Sequence, residues 1–83
     1  MSLSPQTFTG ITAVKFESLV ARIKAATGLV IEDNAGVDSA KGYTLSWNYD
    51  PVAETLIVKC LNKPFLIPGV MVQEKLAELV NGA

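Results

Sequence analysis

The sequence predicts an α+β fold: a three-stranded antiparallel sheet with two helices packed on one face, in the order α-β-β-β-α. Three observations lead to it. Gly42 to Leu61, GYTLSWNYDPVAETLIVKCL, alternates large and small side chains on either side of an Asp-Pro break, as a β-hairpin does. Residues 12–27 and 69–81 carry apolar side chains at helical spacing. Leu29 to Asp33 is short and rich in branched residues, as a third strand would be.

The hairpin sets its own register. Tyr43, Leu45, Trp47 and Tyr49 alternate with Thr44, Ser46 and Asn48, so a period of two puts the bulky side chains on one face. Asp50-Pro51 breaks the run, because Pro has no N–H to give to a ladder and the Asp carboxylate can close a local turn. If Tyr49 faces Leu56, then Trp47 faces Val58 and Leu45 faces Cys60, and every pair is bulky or apolar. A slip of one residue would set Trp47 against Ile57 or Lys59.

Residues 1–11 read as a loosely docked arm with Phe8 its only large anchor, and 12–83 as the single α+β domain. Thr12 has the side chain of an N-cap, with Ile11 and Phe16 at the spacing of a hydrophobic staple, and Gly28 is the natural stop. Between them Phe16, Leu19, Val20, Ile23 and Ala26 make the buried stripe. A helix of roughly 24 Å matches the roughly 23 Å of strand over residues 43–49, so one helix can lie along the sheet. Asn34 to Lys41 reads as a loop. Pro68-Gly69 opens the second helix, with Val72, Leu76, Leu79 and Val80 inward and Gly82 at its end. The sheet face away from the helices should then carry Val30, Thr44, Ser46, Asn48, Ile57, Lys59 and Leu61.

Composition narrows the function. At 83 residues with 49% hydrophobic side chains and a mean hydropathy of +0.34, the chain holds more apolar surface than a body with a radius of gyration of roughly 12 Å hides, which favours self-association or a partner. Seven Lys and Arg against eight Asp and Glu give a net charge of −1, so no overall field draws the chain to nucleic acid or an anionic membrane. One cysteine makes no internal disulfide and fits a reducing compartment. The start MSLSPQTFTG lacks the basic and apolar regions of a signal peptide, and the apolar run Phe65 to Val72 is shorter than the roughly 20 residues of a membrane span. A soluble cytoplasmic protein is expected.

No catalytic or cofactor-binding pattern emerges. There is no histidine, which removes the commonest general base and zinc ligand. Cys60 sits mid-strand on the inward face without a neighbouring base, so a structural thiol is expected. Glu32 and Asp33 are adjacent, so a strand there would point them to opposite faces. Asp33 to Asp38 has the oxygen-rich look of a calcium loop, yet the sixth and twelfth positions an EF-hand needs hold Asp38 and Thr44; an Asx turn is the simpler reading. Neither a metal nor a cofactor is expected.

The element order resembles that of the double-stranded-RNA-binding domain, a resemblance that implies phosphate contacts from lysines at the start of the second helix. Here that position holds Pro68-Gly69-Val70-Met71-Val72, with only Lys75 beyond. The leading expectation is therefore a non-enzymatic interaction or assembly module that pairs with itself or another protein. Its candidate surface is Val30, Ile57, Leu61, Phe65, Val70 and Met71. The alternative is a binder of a small apolar ligand held between helices and sheet by Trp47, Tyr49, Phe16 and Leu76.

Overall fold

The computed structural model describes residues 4–83. The expected helix forms over Ala13–Thr27 (α1), between the caps read from the sequence. Thr12 Oγ1 accepts from the Lys15 N–H at 3.2 Å, and Gly28 takes the left-handed conformation while its N–H donates to the Lys24 carbonyl. Tyr43–Asp50 and Thr55–Asn62 pair antiparallel as the hairpin, in the expected register: Tyr49 opposite Leu56, Trp47 opposite Val58, Leu45 opposite Cys60. Asp50 closes the turn, its Oδ1 accepting from the N–H groups of Val52 and Ala53. A bulge beyond Leu45 sets Asn62 opposite Thr44 and leaves Leu61 unmatched. The second helix runs over Gly69–Asn81 (α2).

The sheet has four strands rather than three, and the order is β-α-β-β-β-α, which departs from that of the RNA-binding domain. In chain order the strands are Gln6–Phe8 (β1), Ala35–Ala40 (β2), and the hairpin strands Tyr43–Asp50 (β3) and Thr55–Asn62 (β4); they lie side by side as β1-β4-β3-β2, all antiparallel. The fourth strand comes from the segment read as an arm. Gln6 and Phe8 turn toward the helices opposite Val58 and Leu56, and the Gln6 side-chain amide donates to the Gln73 carbonyl on α2.

The two remaining strand assignments exchange places. Leu29 to Asp33 is not a strand but the return path from α1, and the segment read as a loop is β2. The return path is held by its edges: the Val30 N–H donates to Asp38 Oδ2 at 2.9 Å, and Trp47 Nε1 donates to the Asp33 carbonyl at 2.8 Å. Leu29 is buried in the core. β2 is built from small residues because Trp47 lies across it; a Cβ on Gly36 would stand 3.0 Å from Trp47 Cζ2. Lys41 and Gly42 both have positive φ, 53° and 86°, which is the two-residue turn whose twist suits a hairpin.

One core lies between the helices and the sheet. It joins Phe16, Leu19 and Ile23 of α1, Val72, Leu76, Leu79 and Val80 of α2, and the inward residues of β3 and β4, with Ile11 and Leu29 closing the ends of α1. Tyr49 ties three parts of it together. Its ring stacks on Phe16 with centroids 4.1 Å apart, its hydroxyl donates to the Ile11 carbonyl at 2.7 Å, and its backbone N–H donates to the Asn34 carbonyl at 2.6 Å. α2 has no cation in its own last turn, and Arg22 of α1 supplies one, donating from Nε to the Leu79 carbonyl. The radius of gyration is 11.7 Å, as a fold of this length should have.

Two predictions follow from this packing. Gly36→Ala pushes a methyl into the Trp47 ring and should cost about 1–2 kcal/mol, read as a fall in the midpoint of urea unfolding; an unchanged midpoint would mean the indole does not lie on β2. Burial, with Glu54 and Asp50 adding their charges, holds the Tyr49 phenol above its ordinary pKa, and burial likewise raises the Cys60 thiol. Both groups are favoured as neutral in the fold, so their contribution is complete below the unfolded values of about 8.5 for Cys and 10 for Tyr and is lost as pH rises through the raised folded ones. Thermal stability should therefore hold from neutral pH to about pH 8 and fall progressively beyond it, and Tyr49→Phe should lower Tm by several degrees while flattening the upper part of that fall.

Candidate interaction surface

After β4 the chain must turn from the sheet to the helix layer, and two prolines shape the turn. Pro64 packs against the β2–β3 turn, where a Cβ on Gly42 would meet it at 3.2 Å, and its carbonyl accepts from the Ile67 N–H. Pro68 precedes the first turn of α2, its fixed φ suited to a helix start, and accepts from the Met71 N–H. Between them Ile67 turns inward, and Phe65 and Leu66 are left outside at 91% and 82% exposed. Val70 and Met71 follow on the first turn of α2 at 60% and 54%. No charged side chain occupies that turn. The result is an apolar promontory fixed at both ends by proline.

Beside it lies a groove of about 450 Å³. Ala26 and Thr27 at the end of α1 form one wall, and Met71, Leu76 and Leu79 of α2 form the other. Leu29, Tyr43 and Leu45 make its floor, while Lys41, Glu74, Lys75 and Glu78 stand along its rim. Lys75 and Glu78 pair at 3.5 Å in solvent, which contributes little energy and leaves the rim balanced in charge. Met71 belongs to both features, so promontory and groove are continuous.

The six residues expected to form one surface fall into three places. Phe65, Val70 and Met71 join the promontory, together with Leu66, which periodicity did not single out because the run between the prolines has no helical or strand repeat. Ile57 and Leu61 lie on the sheet face away from the helices, among Thr44, Ser46, Asn48 and Lys59, with Ile57 exposed and Leu61 half-buried at the bulge. Val30 is on the return path and not on that face. Sequence reading also passed over Val37, an exposed residue of β2.

The ligand lining expected from the sequence is not a cavity. Phe16 and Tyr49 are stacked on each other and Trp47 is packed on Gly36, so of the four residues named only Leu76 borders the open groove. Cys60 is buried, its thiol donating to the Asn62 carbonyl at 3.1 Å, and burial keeps it protonated. The segment Asp33 to Asp38, expected to be an Asx turn, instead runs into β2, and Asp38 accepts from the Val30 N–H. Among the described residues no group of three or more His, Cys, Asp or Glu side chains is placed to hold a metal ion, and no helix is long and apolar enough to cross a membrane. Comparisons with family models, with curated proteins and with solved structures return no match.

The promontory should be energetically separate from the core. Phe65→Asp and Met71→Glu are expected to stay within about 0.5 kcal/mol of the parent, whereas Val72→Asp, one residue further and buried, should abolish folding. Urea unfolding of the three variants checks this, and a collapse of Phe65→Asp would make the promontory part of the core.

Proposed function

We propose that this chain is a non-enzymatic assembly module that associates with further copies of itself through the promontory of Phe65, Leu66, Val70 and Met71. The observation that carries the proposal is an apolar projection set beside an apolar groove on the same side of the molecule. A second copy offers both halves of that pair, so a two-fold contact seats the projection of each subunit at the groove of the other. A standard interface takes about 800 Å² from each partner, roughly a sixth of the 4837 Å² this chain exposes. The contact therefore extends past the promontory onto the groove walls. Methionine at the junction suits such a surface, since its unbranched side chain adapts to what it meets. A lone reduced thiol suits the cytoplasm as the place of assembly.

The groove itself favours a second reading, a small apolar ligand, because its volume falls within the range of ligand sites. Its position revises the residues that would hold such a ligand to Leu29, Leu45, Met71 and Leu76.

Native mass spectrometry on protein purified without denaturant separates the two. The assembly reading expects multiples of the chain mass in the wild type and smaller species in a folded Phe65→Asp/Met71→Glu variant. A monomer that carries added mass would replace it with the ligand reading, and a bare monomer at high concentration would contradict both.

A further inference from the structure

The two edges of the sheet are protected differently. β1 is three residues long, follows Pro5, and is clipped to α2 by the Gln6 and Gln73 side chains, the latter donating to the Ser4 carbonyl. Such devices keep an edge from pairing with other chains. β2 is twice as long and has no proline or clip to a helix; the return path, tied to it through Val30 and Asp38, flanks it on the helix side. The strand is six residues of small side chains, AGVDSA, with no lysine, proline or bulge, and its one charge, Asp38, is turned to the helix side and engaged by the Val30 N–H.

Which backbone groups face outward follows from the ladder. Hydrogen-bonded pairs alternate along antiparallel strands, and the Tyr49 N–H donates to the Asn34 carbonyl, so Asn34, Gly36, Asp38 and Ala40 turn their groups toward β3. The two-residue turn at Lys41-Gly42 requires the same phase, with Ala40 and Tyr43 a bonded pair. Ala35, Val37 and Ser39 therefore point their N–H and C=O groups away from the sheet. Among the described residues none of these outward groups has a partner.

We infer that β2 is a second self-association site, at which two copies pair edge to edge into a continuous eight-stranded sheet. This rests on the reading of the chain as a self-assembling module and adds a contact on a different side of it. The strand is complementary to its own reverse. With Val37 of one copy opposite Val37 of the other, Ala35 faces Ser39 and Ser39 faces Ala35. The outward groups then form two hydrogen bonds for each of the three pairs. Gly36 falls opposite Asp38, so no side chains collide on the helix side. The neighbouring registers are worse. Centring on Gly36 loses one bonded pair, and centring on Asp38 loses one and opposes two carboxylates. Ser39 leaves the outward path clear, its hydroxyl bonded at 2.8 Å to Thr44. The two-fold axis stands perpendicular to the sheet, which keeps both helix layers on one side and makes the opposite face continuous through Val37 and Ile57.

Two different two-fold contacts on one subunit link more than two copies. Val37→Pro removes an outward N–H and no ladder bond, a change edge strands tolerate, and Val37→Lys keeps that N–H but sets two ammonium groups opposite each other. In native mass spectrometry the wild type should reach species beyond the dimer, while both Val37 variants stop at the dimer held by the promontory. Phe65→Asp/Met71→Glu should stop at the dimer held by β2, and its combination with Val37→Lys should be a folded monomer by circular dichroism. Val37 variants with the wild-type mass distribution would overturn the β2 contact and leave the promontory standing. Wild-type masses in Phe65→Asp/Met71→Glu would overturn the promontory and not β2.

Discussion

Tyr49 is the interaction on which the other placements depend. One side chain stacks on the first turn of α1 and bonds to the carbonyl of Ile11, the residue before that helix's N-cap, while the backbone N–H of the same residue bonds Asn34, the residue before β2. The Ile11 N–H in turn donates to the Glu54 carbonyl in the hairpin turn at 2.8 Å. The start of α1, the start of β2 and the β3–β4 turn are thus fixed relative to one ring. Trp47 repeats the logic two residues earlier, bonding the return path through its indole N–H while its face rests on Gly36. Bonds of this kind from a buried aromatic to a backbone carbonyl satisfy both partners and set geometry as well as energy.

This economy of the core explains the surface. A chain this short buries only about 60–65% of what its unfolded form exposes, and here the core takes one row from each helix and the inward faces of two strands. Of the large apolar residues left exposed, Val14, Val30, Val37, Val52 and Ile57 stand apart from one another, and the other four form a group. Phe65, Leu66, Val70 and Met71 are gathered at a turn that prolines hold away from the body, beside a groove left where α2 begins. The second feature is polar rather than apolar: an edge strand left unblunted while its counterpart is short and clipped. A hydrophobic contact supplies affinity and a strand pairing supplies register, so the two serve different ends in an assembly.

Much of the fold was legible in the sequence, and the failures have physical causes. The hairpin register was legible because each slip mismatches bulky residues, and the caps of α1 were legible because Thr12 and Gly28 carry their own local chemistry. β2 was not, because its residues are small for a tertiary reason: room for Trp47, which no local propensity records. Leu29 to Asp33 misled in the opposite direction, since its apolar content serves to plug the end of α1 rather than to line a strand. β1 is held by pairing with β4 and by a glutamine on α2, partners too distant in sequence for any local pattern to show. Of the surface, the promontory was legible as an apolar run between two prolines. Its separation from Ile57, Leu61 and Val30, and the groove beside it, required the strand order.

Backbone amide exchange followed by NMR at low and high protein concentration tests the assembly account most directly, because it reads the two sets of β2 amides separately. Gly36, Asp38 and Ala40 should be protected at both concentrations, while Val37 and its outward neighbours Ala35 and Ser39 should gain protection only as concentration rises, together with loss of solvent contact at Phe65 and Met71. Outward amides that exchange rapidly at every concentration, with an unchanged environment at Phe65 and Met71, would contradict the assembly account.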